Sequence, residues 1–154
     1  VEQAGPQVME HVIGTAAWTW RVPALVKSEQ GQAFVDAYIA QHQRYPDSTA
    51  ASAYAIVQQW AAAANRAGSL HSEKIIKALE DHRYSLLKDE QYWRSFDHQN
   101  VQSIYAVRVR SRSEIMQDRF KQDYFNIIHR MDGEAAAPSL DEWQEERGDE
   151  LSLR

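Results

Sequence analysis

Apolar residues recur at helical spacing through the first half of the chain and alternate with polar ones through much of the second. Ser28 can cap a helix in which Phe34, Val35, Tyr38 and Ile39 share a face, ending near Arg44 ahead of Tyr45 and Pro46. Asp47 or Ser48 caps a second helix with Tyr54, Val57, Ala61 and Ala64 on one side, closed by Ala67, Gly68 and Ser69. Residues 72–80 predict a third helix with Ile75, Ile76 and Leu79 inward. Before these, residues 11–15 are short, β-branched and glycine-containing, which reads as a strand. Pro23 keeps any helix from starting much before Ala24. After Asp81 the period changes: residues 84–87, 91–96 and 101–110 read as strands, with Ile104, Ala106 and Arg108 opposite Tyr105, Val107 and Val109. Residues 97–100 form a turn or crossover, 113–120 a short helix and 123–129 a last strand. Residues 134–154 read as an irregular acidic tail. The order strand, three helices, then mainly strands is an α/β pattern without internal repeat.

Composition narrows the functional classes. The 154 residues, 44% hydrophobic and 25% charged, suffice for one ordinary domain with a real core. A net charge of -5 offers no basic field for nucleic acid or an anionic membrane. Without cysteine there are no disulfides, thiolate metal sites or cysteine nucleophile.

Candidate chemistry is sparse. The six histidines make no i, i+4 pair of the metalloprotease type, so surface or core roles explain them and no metal is expected. Asp97 and His98 resemble half of a catalytic arrangement. Neighbours on extended chain face opposite ways, and no nucleophile elbow accompanies them, so a structural turn is the better reading. The six glycines are scattered and build no phosphate loop. Arg108, Arg110 and Arg112 read as a solvated strand face, and residues 50–80 lack the basic face of a nucleic-acid-binding helix pair. Trp18 and Trp20 follow the first strand in a non-helical segment, where aromatics line either a ligand pocket or the core. Alternation about Thr19 predicts that at most one of them faces a cleft.

The motifs taken in order carry a resemblance. Ala4 and Gly5 with the segment from Val12 to Trp18, Phe34 to Tyr38 with Tyr45 and Pro46, and Ser52, Ala53 and Tyr54 are three of them. Tyr92, Arg94, Asp97, His98, Gln99, Gln102 and Tyr105 form a fourth, and Asp123 to Phe125 with Gly133, Glu134 and Pro138 a fifth. Together they resemble the C-terminal part of the type I periplasmic solute-binding proteins, in the branched-chain amino acid receptor group. One departure stands out: Lys88 to Gln91 replaces that group's glycine-centred turn.

The resemblance implies a partial type I periplasmic-binding-protein fold spanning two lobes. Residues 1–17 would end the second lobe, 18–96 supply helices and strands of the first, 97–130 cross and return, and 131–154 trail. Trp18, Ser48, Thr49 and Tyr54 would face the ligand; Pro23, Asp97, His98 and Gln99 would serve as hinge. The implied function is extracytoplasmic or periplasmic capture of an amino acid or similar small carboxylate, with no cofactor and no catalysis, after removal of a signal peptide. An ABC permease would be the partner. The helices would need the first lobe's sheet, so an amino-terminal half or a self-associated copy is expected to cover their apolar faces. Two other classes stand beside this reading. The same fold serves as a ligand-sensing module of signalling proteins, and a hydrolase using His98 would lose turnover on substitution of that residue.

Overall fold

A computed structural model describes residue 1 and residues 3–147. Its elements are α1 (Pro6–Met9), β1 (Ile13–Ala16), α2 (Val22–Val26), α3 (Glu29–His42), α4 (Ser48–Ala67), α5 (Ser72–Leu79), β2 (Tyr92–Trp93) and β3 (Asn100–Val101). After these come β4 (Ile104–Val109), α6 (Arg112–Gln117), β5 (Phe125–Met131), α7 (Gly133–Ala136) and α8 (Leu140–Arg147).

Caps set the helix boundaries. Ser28 Oγ accepts from the Gly31 amide and donates to Leu86 O, both at 3.0 Å, which starts α3 and ties it to a distant loop. Asp47 Oδ1 accepts from the Ala50 amide at 2.7 Å, so Asp47 and not Ser48 caps α4. Gly68, at φ 58, ends α4 in the left-handed conformation. Gly31 is demanded by packing, since a Cβ there would stand 2.7 Å from Leu87 O and 2.9 Å from the Pro23 ring.

β4 is the central strand of an antiparallel sheet of order β1-β4-β5. Tyr105, Val107 and Val109 are buried on one face, as the alternation predicts. Tyr105 and Val107 join Trp18, Val22, Val35, Ala51 and Leu87 in the main core, against which Ala16, Phe34, Phe125 and Ile127 pack. A second, smaller cluster, Ala63, Ala64 and Ile75, sits between α4 and α5.

Several expectations need correction. Residues 84–87 are not a strand: Tyr84 makes an isolated bridge to Gln91, and the chain between them turns. The strands expected over 91–96 and 101–110 shrink to the β2–β3 hairpin and β4, because Arg94 leaves the ladder to clasp the hairpin loop. α2 starts at Val22, two residues before Ala24, since a proline in a first helical turn loses no hydrogen bond. Residues 134–147 are not irregular: α7 and α8 occupy much of them, and Ser139 caps α8 by accepting from the Glu142 amide. Residues 148–154 of that expected tail lie outside the described residues. Ile76 is exposed, not inward. On α4 the buried stripe is Ala51, Gln59, Ala63 and Ala64, while Tyr54 and Val57 face outward.

Candidate functional site

A cavity of about 310 Å³ opens where three segments converge. The stretch from Ala16 to Trp20 leaves β1 and forms its back. The α3–α4 connection and first residues of α4, Arg44 to Thr49, form one side, and Gln122, Tyr124 and Phe125 ahead of and within β5 form the other. Trp18 is fixed by its indole N–H, which donates to Leu87 O at 3.2 Å, and by an edge-on contact with Phe34 at 6.0 Å. Trp20 stacks on Tyr45 with ring centroids 4.0 Å apart and planes 3° from parallel.

This wall is braced from behind. The Tyr45 hydroxyl donates to Asp118 Oδ1 at 2.6 Å. Burial and that bond push the Tyr45 hydroxyl well above the ordinary phenol range. Burial alone would raise the Asp118 carboxyl, but donors from Tyr45 and from the Gln122 and Phe120 amides hold it below the usual carboxylate range. Arg21 lies over the Trp20 ring, 4.9 Å from its centroid, and its Nε donates to Asp123 Oδ1 at 2.8 Å. Asp123 is buried and also accepts from Arg110. The bond to Asp123 raises the Arg21 guanidinium further, so this bridge between α2 and the start of β5 stays charged.

The mouth of the cavity carries the start of α4. Asp47 O accepts from the Ala51 amide at 3.1 Å and Asp47 Oδ1 takes the Ala50 amide. The amides of Ser48 and Thr49 have no partner within the helix, because first-turn amides lie ahead of any carbonyl. A 20-residue helix adds its positive dipole end there. Apolar aromatic residues and the start of α4 thus line the same cavity.

Three of the four ligand-facing expectations, Trp18, Ser48 and Thr49, converge on this cavity. Tyr54 does not: it is over one turn further along α4, exposed, with its ring against Phe34 at 4.8 Å. Both tryptophans line the cavity, against the expectation of one, because strand geometry stops at Ala16 and alternation no longer applies at 18–20. Tyr45, Tyr124 and Phe125 were missed; only the fold brings residue 45 beside residues 122–125. Of the expected hinge residues, Pro23 is buried at the start of α2. Asp97, His98 and Gln99 are the loop of the β2–β3 hairpin, not the passage to β4. Arg94 donates to Asp97 Oδ1 at 3.1 Å and to Gln99 Oε1 at 2.8 Å, and His98 sits at φ 57 with Nε2 3.1 Å from Glu80 Oε1. The passage lies at Gln102 and Ser103. There Lys88 donates to Ala17 O at 2.7 Å, Ser103 O at 2.5 Å and Gln102 Oε1 at 3.2 Å. Among the described residues no grouping of three or more His, Asp or Glu could hold a metal ion, and no helix is long and apolar enough to cross a membrane.

Comparison with known proteins places this geometry. No curated protein sequence matches the chain. A solved periplasmic binding protein from Burkholderia mallei is 22% identical over 92% of this chain and 36% of its own, with a TM-score of 0.78. A branched-chain amino acid ABC transporter periplasmic ligand-binding protein from Burkholderia xenovorans gives the same values. A leucine-, isoleucine-, valine-, threonine- and alanine-binding protein from Brucella ovis, in a closed conformation, is 19% identical over 86% of this chain and 34% of its own, at TM-score 0.67. The chain thus spans about a third of the length of these structures. A family model described as periplasmic binding protein matches residues 1–114. That match covers most of the chain, from α1 through β4 into α6, and with the shared fold it establishes that the chain belongs to the periplasmic binding protein family.

Proposed function

We propose that the chain is part of an extracytoplasmic receptor that delivers a small solute to an ABC importer. The solute is an amino acid or similar small carboxylate, held without bond chemistry while two lobes close on it. The observation that carries this reading is the cavity between the start of α4 and the residues leading into β5, backed by the segment leaving β1. A carboxylate would take the amides of Ser48 and Thr49. The two sides of the cavity are linked through segments 17–22 and 102–103, which would absorb closure through a few backbone angles. Lys88, bonded to both, would set how far they move apart. The remaining wall of the site, and the cover for the outward face of α4, would come from the first lobe's sheet or a second copy of this chain.

The test is a thermal-shift screen of the full-length protein with amino acids and small carboxylates. A true solute at a hundred times its Kd adds about 2.7 kcal/mol, which moves the midpoint up by about 2–5 °C in a protein of that size. Ser48→Pro should abolish that shift, since it removes one of the two amides. A flat screen across both solute classes overturns the reading.

A further inference from the structure

We infer that the Lys88 ammonium latches together the two segments that join the sheet to the rest of the chain, so that both open in one step and only by releasing Lys88 to water. Its place in lobe closure rests on the receptor reading; the coupling itself does not. Residues 17–21 lead from β1 to α2, and Gln102 and Ser103 lead from β3 to β4. The loop of residues 86–89 lies against both crossings and takes a different partner at each position. Leu86 O accepts from the Ser28 hydroxyl, and Leu87 O from the Trp18 indole. Lys88 Nζ donates to Ala17 O at 2.7 Å, to Ser103 O at 2.5 Å and to Gln102 Oε1 at 3.2 Å. Asp89 accepts from the Ser103 hydroxyl at 2.6 Å and from Arg130 Nε of β5 at 2.8 Å. Of these four side chains only that of Lys88 is bonded to both crossings.

An ammonium has three N–H donors, and each has an oxygen here. Lys88 is 3% exposed, so parting either crossing from the loop leaves a buried cation short of a bond. That state is costly, and the loss of one bond therefore drives the loss of the others as Lys88 swings out to solvent. The groups that face Lys88 fix the proton balance of this step. Asp89 is beside it, Arg130 comes from β5, and the Tyr105 ring of β4 has its centroid 5.0 Å from Nζ. Residues 17–20 and 100–103 carry no titratable side chain. Burial alone would raise the Asp89 carboxyl, but donors from Ser103 and Arg130 hold it below the usual range. The bond to Asp89 raises Arg130, and burial raises Tyr105, so these three keep their charge between pH 7 and 9. Lys88 does not: burial pulls it down to about 8, and water returns it toward the ordinary 10.5. Above pH 8 the closed form holds fewer protons than the open one, so opening takes up a proton and grows harder as pH rises. Below that, both forms are protonated and opening is indifferent to pH.

The experiment is amide hydrogen exchange of the full-length protein without solute, read by mass spectrometry at pH 7 and 9 and divided by the intrinsic rate at each pH. Peptides over 17–22 and over 102–104 should each gain about tenfold in protection from pH 7 to 9, the two gains agreeing within about twofold. Peptides of α5, in the second cluster, should show no such gain. Lys88→Met cannot titrate and Lys88→Arg stays charged throughout, so both should lose the gain. No gain in the wild-type protein, a gain in one crossing alone, or an equal gain in every peptide overturns the latch. So does a gain that survives in whichever variant folds. A flat solute screen beside the expected exchange result overturns the receptor reading and leaves the coupled crossings standing. Solute binding without the exchange gain overturns the latch alone.

Discussion

Trp18 and Trp60 are the same side chain in opposite circumstances. Trp18 is 4% exposed, bonded through its indole and surrounded by the main core. Trp60 is 49% exposed on α4, in a row with the exposed Ile56 and Val57. The helix that carries Trp60 turns its small residues, Ala51, Ala63 and Ala64, to the interior and its large apolar ones outward. Small residues let α4 approach the core closely; large ones on the opposite face are what a second layer would bury. The chain therefore has one finished side, the core around Trp18, and one side built for cover.

The largest effect expected from this contrast is Trp18→Ala. Removing a buried indole costs about 3–5 kcal/mol, and the loss of the bond to Leu87 O frees the loop that Ser28 also holds. Urea denaturation should show it as a lower midpoint at unchanged slope. A loss under about 1 kcal/mol would mean the core closes over the gap, and that the finished side is looser than its burial implies.

Next comes the pH dependence set by Lys88. Burial pulls its ammonium down to about 8, with Asp89 partly opposing and Arg130 reinforcing the shift. Between that value and the ordinary 10.5 the folded chain binds fewer protons than the unfolded one, so stability rises with pH through the window. Higher up the sign reverses. Burial pushes Tyr84 up to about 12, and Tyr105 is raised as well. The fold then keeps protons that the unfolded chain sheds above about 10, and stability falls. Unfolding free energies at pH 7.5, 9.5 and 11.5 should trace a rise of about 1–3 kcal/mol and then a decline. Lys88→Met should remove the rise and keep the decline.

What the sequence made legible follows from the range of the interactions involved. Cap residues act within one turn, so Ser28, Asp47 and Gly68 announced α3 and α4 correctly. β4 was visible because one of its faces is fully buried, making the alternation strict. Trp18, Ser48 and Thr49 could be named through the resemblance, and the cavity assembles around them. Tyr54 misled because apolar spacing marks a face without saying which face is covered. Tyr45, Tyr124 and Phe125 were hidden because their meeting depends on α3, α4 and β5 being placed in space. The hairpin loop 94–99 hid for a related reason: its shape depends on Arg94 reaching Asp97, Gln99 and Pro138 O, the last 44 positions along the chain.

A smaller effect tests whether α4 is anchored from its ends or only along its covered stripe. Asp47→Ala removes the side chain that takes the Ala50 amide and should cost about 1 kcal/mol. Asp47→Asn keeps an oxygen in place and should cost a few tenths. If both are silent, the stripe of Ala51, Ala63 and Ala64 alone holds the helix, and the order of the cavity mouth does not depend on its cap.

The smallest change in stability is expected on the bare side, and it is the sharpest test of the comparison. Trp60→Ala should shift unfolding by less than about 0.5 kcal/mol in dilute monomer, because a half-exposed side chain without specific partners contributes little. The same row should nevertheless govern association, since a contiguous apolar patch is what copies or another layer would bury. Sedimentation of the 154-residue chain should show concentration-dependent association. Trp60→Glu with Val57→Ser should return it to monomer, while the tyrosine-driven decline at high pH stays in place. A wild-type chain that remains a monodisperse monomer at high concentration would mean the row is tolerated in water, and α4 would then need no cover at all. Association that survives the double substitution would instead move the interface to the other exposed apolar residues, Val12 and Ile13 on the β1 edge. A strand edge offers a copy backbone hydrogen bonds, whereas the α4 row offers it only apolar area. The double variant therefore decides which kind of surface the unfinished side presents.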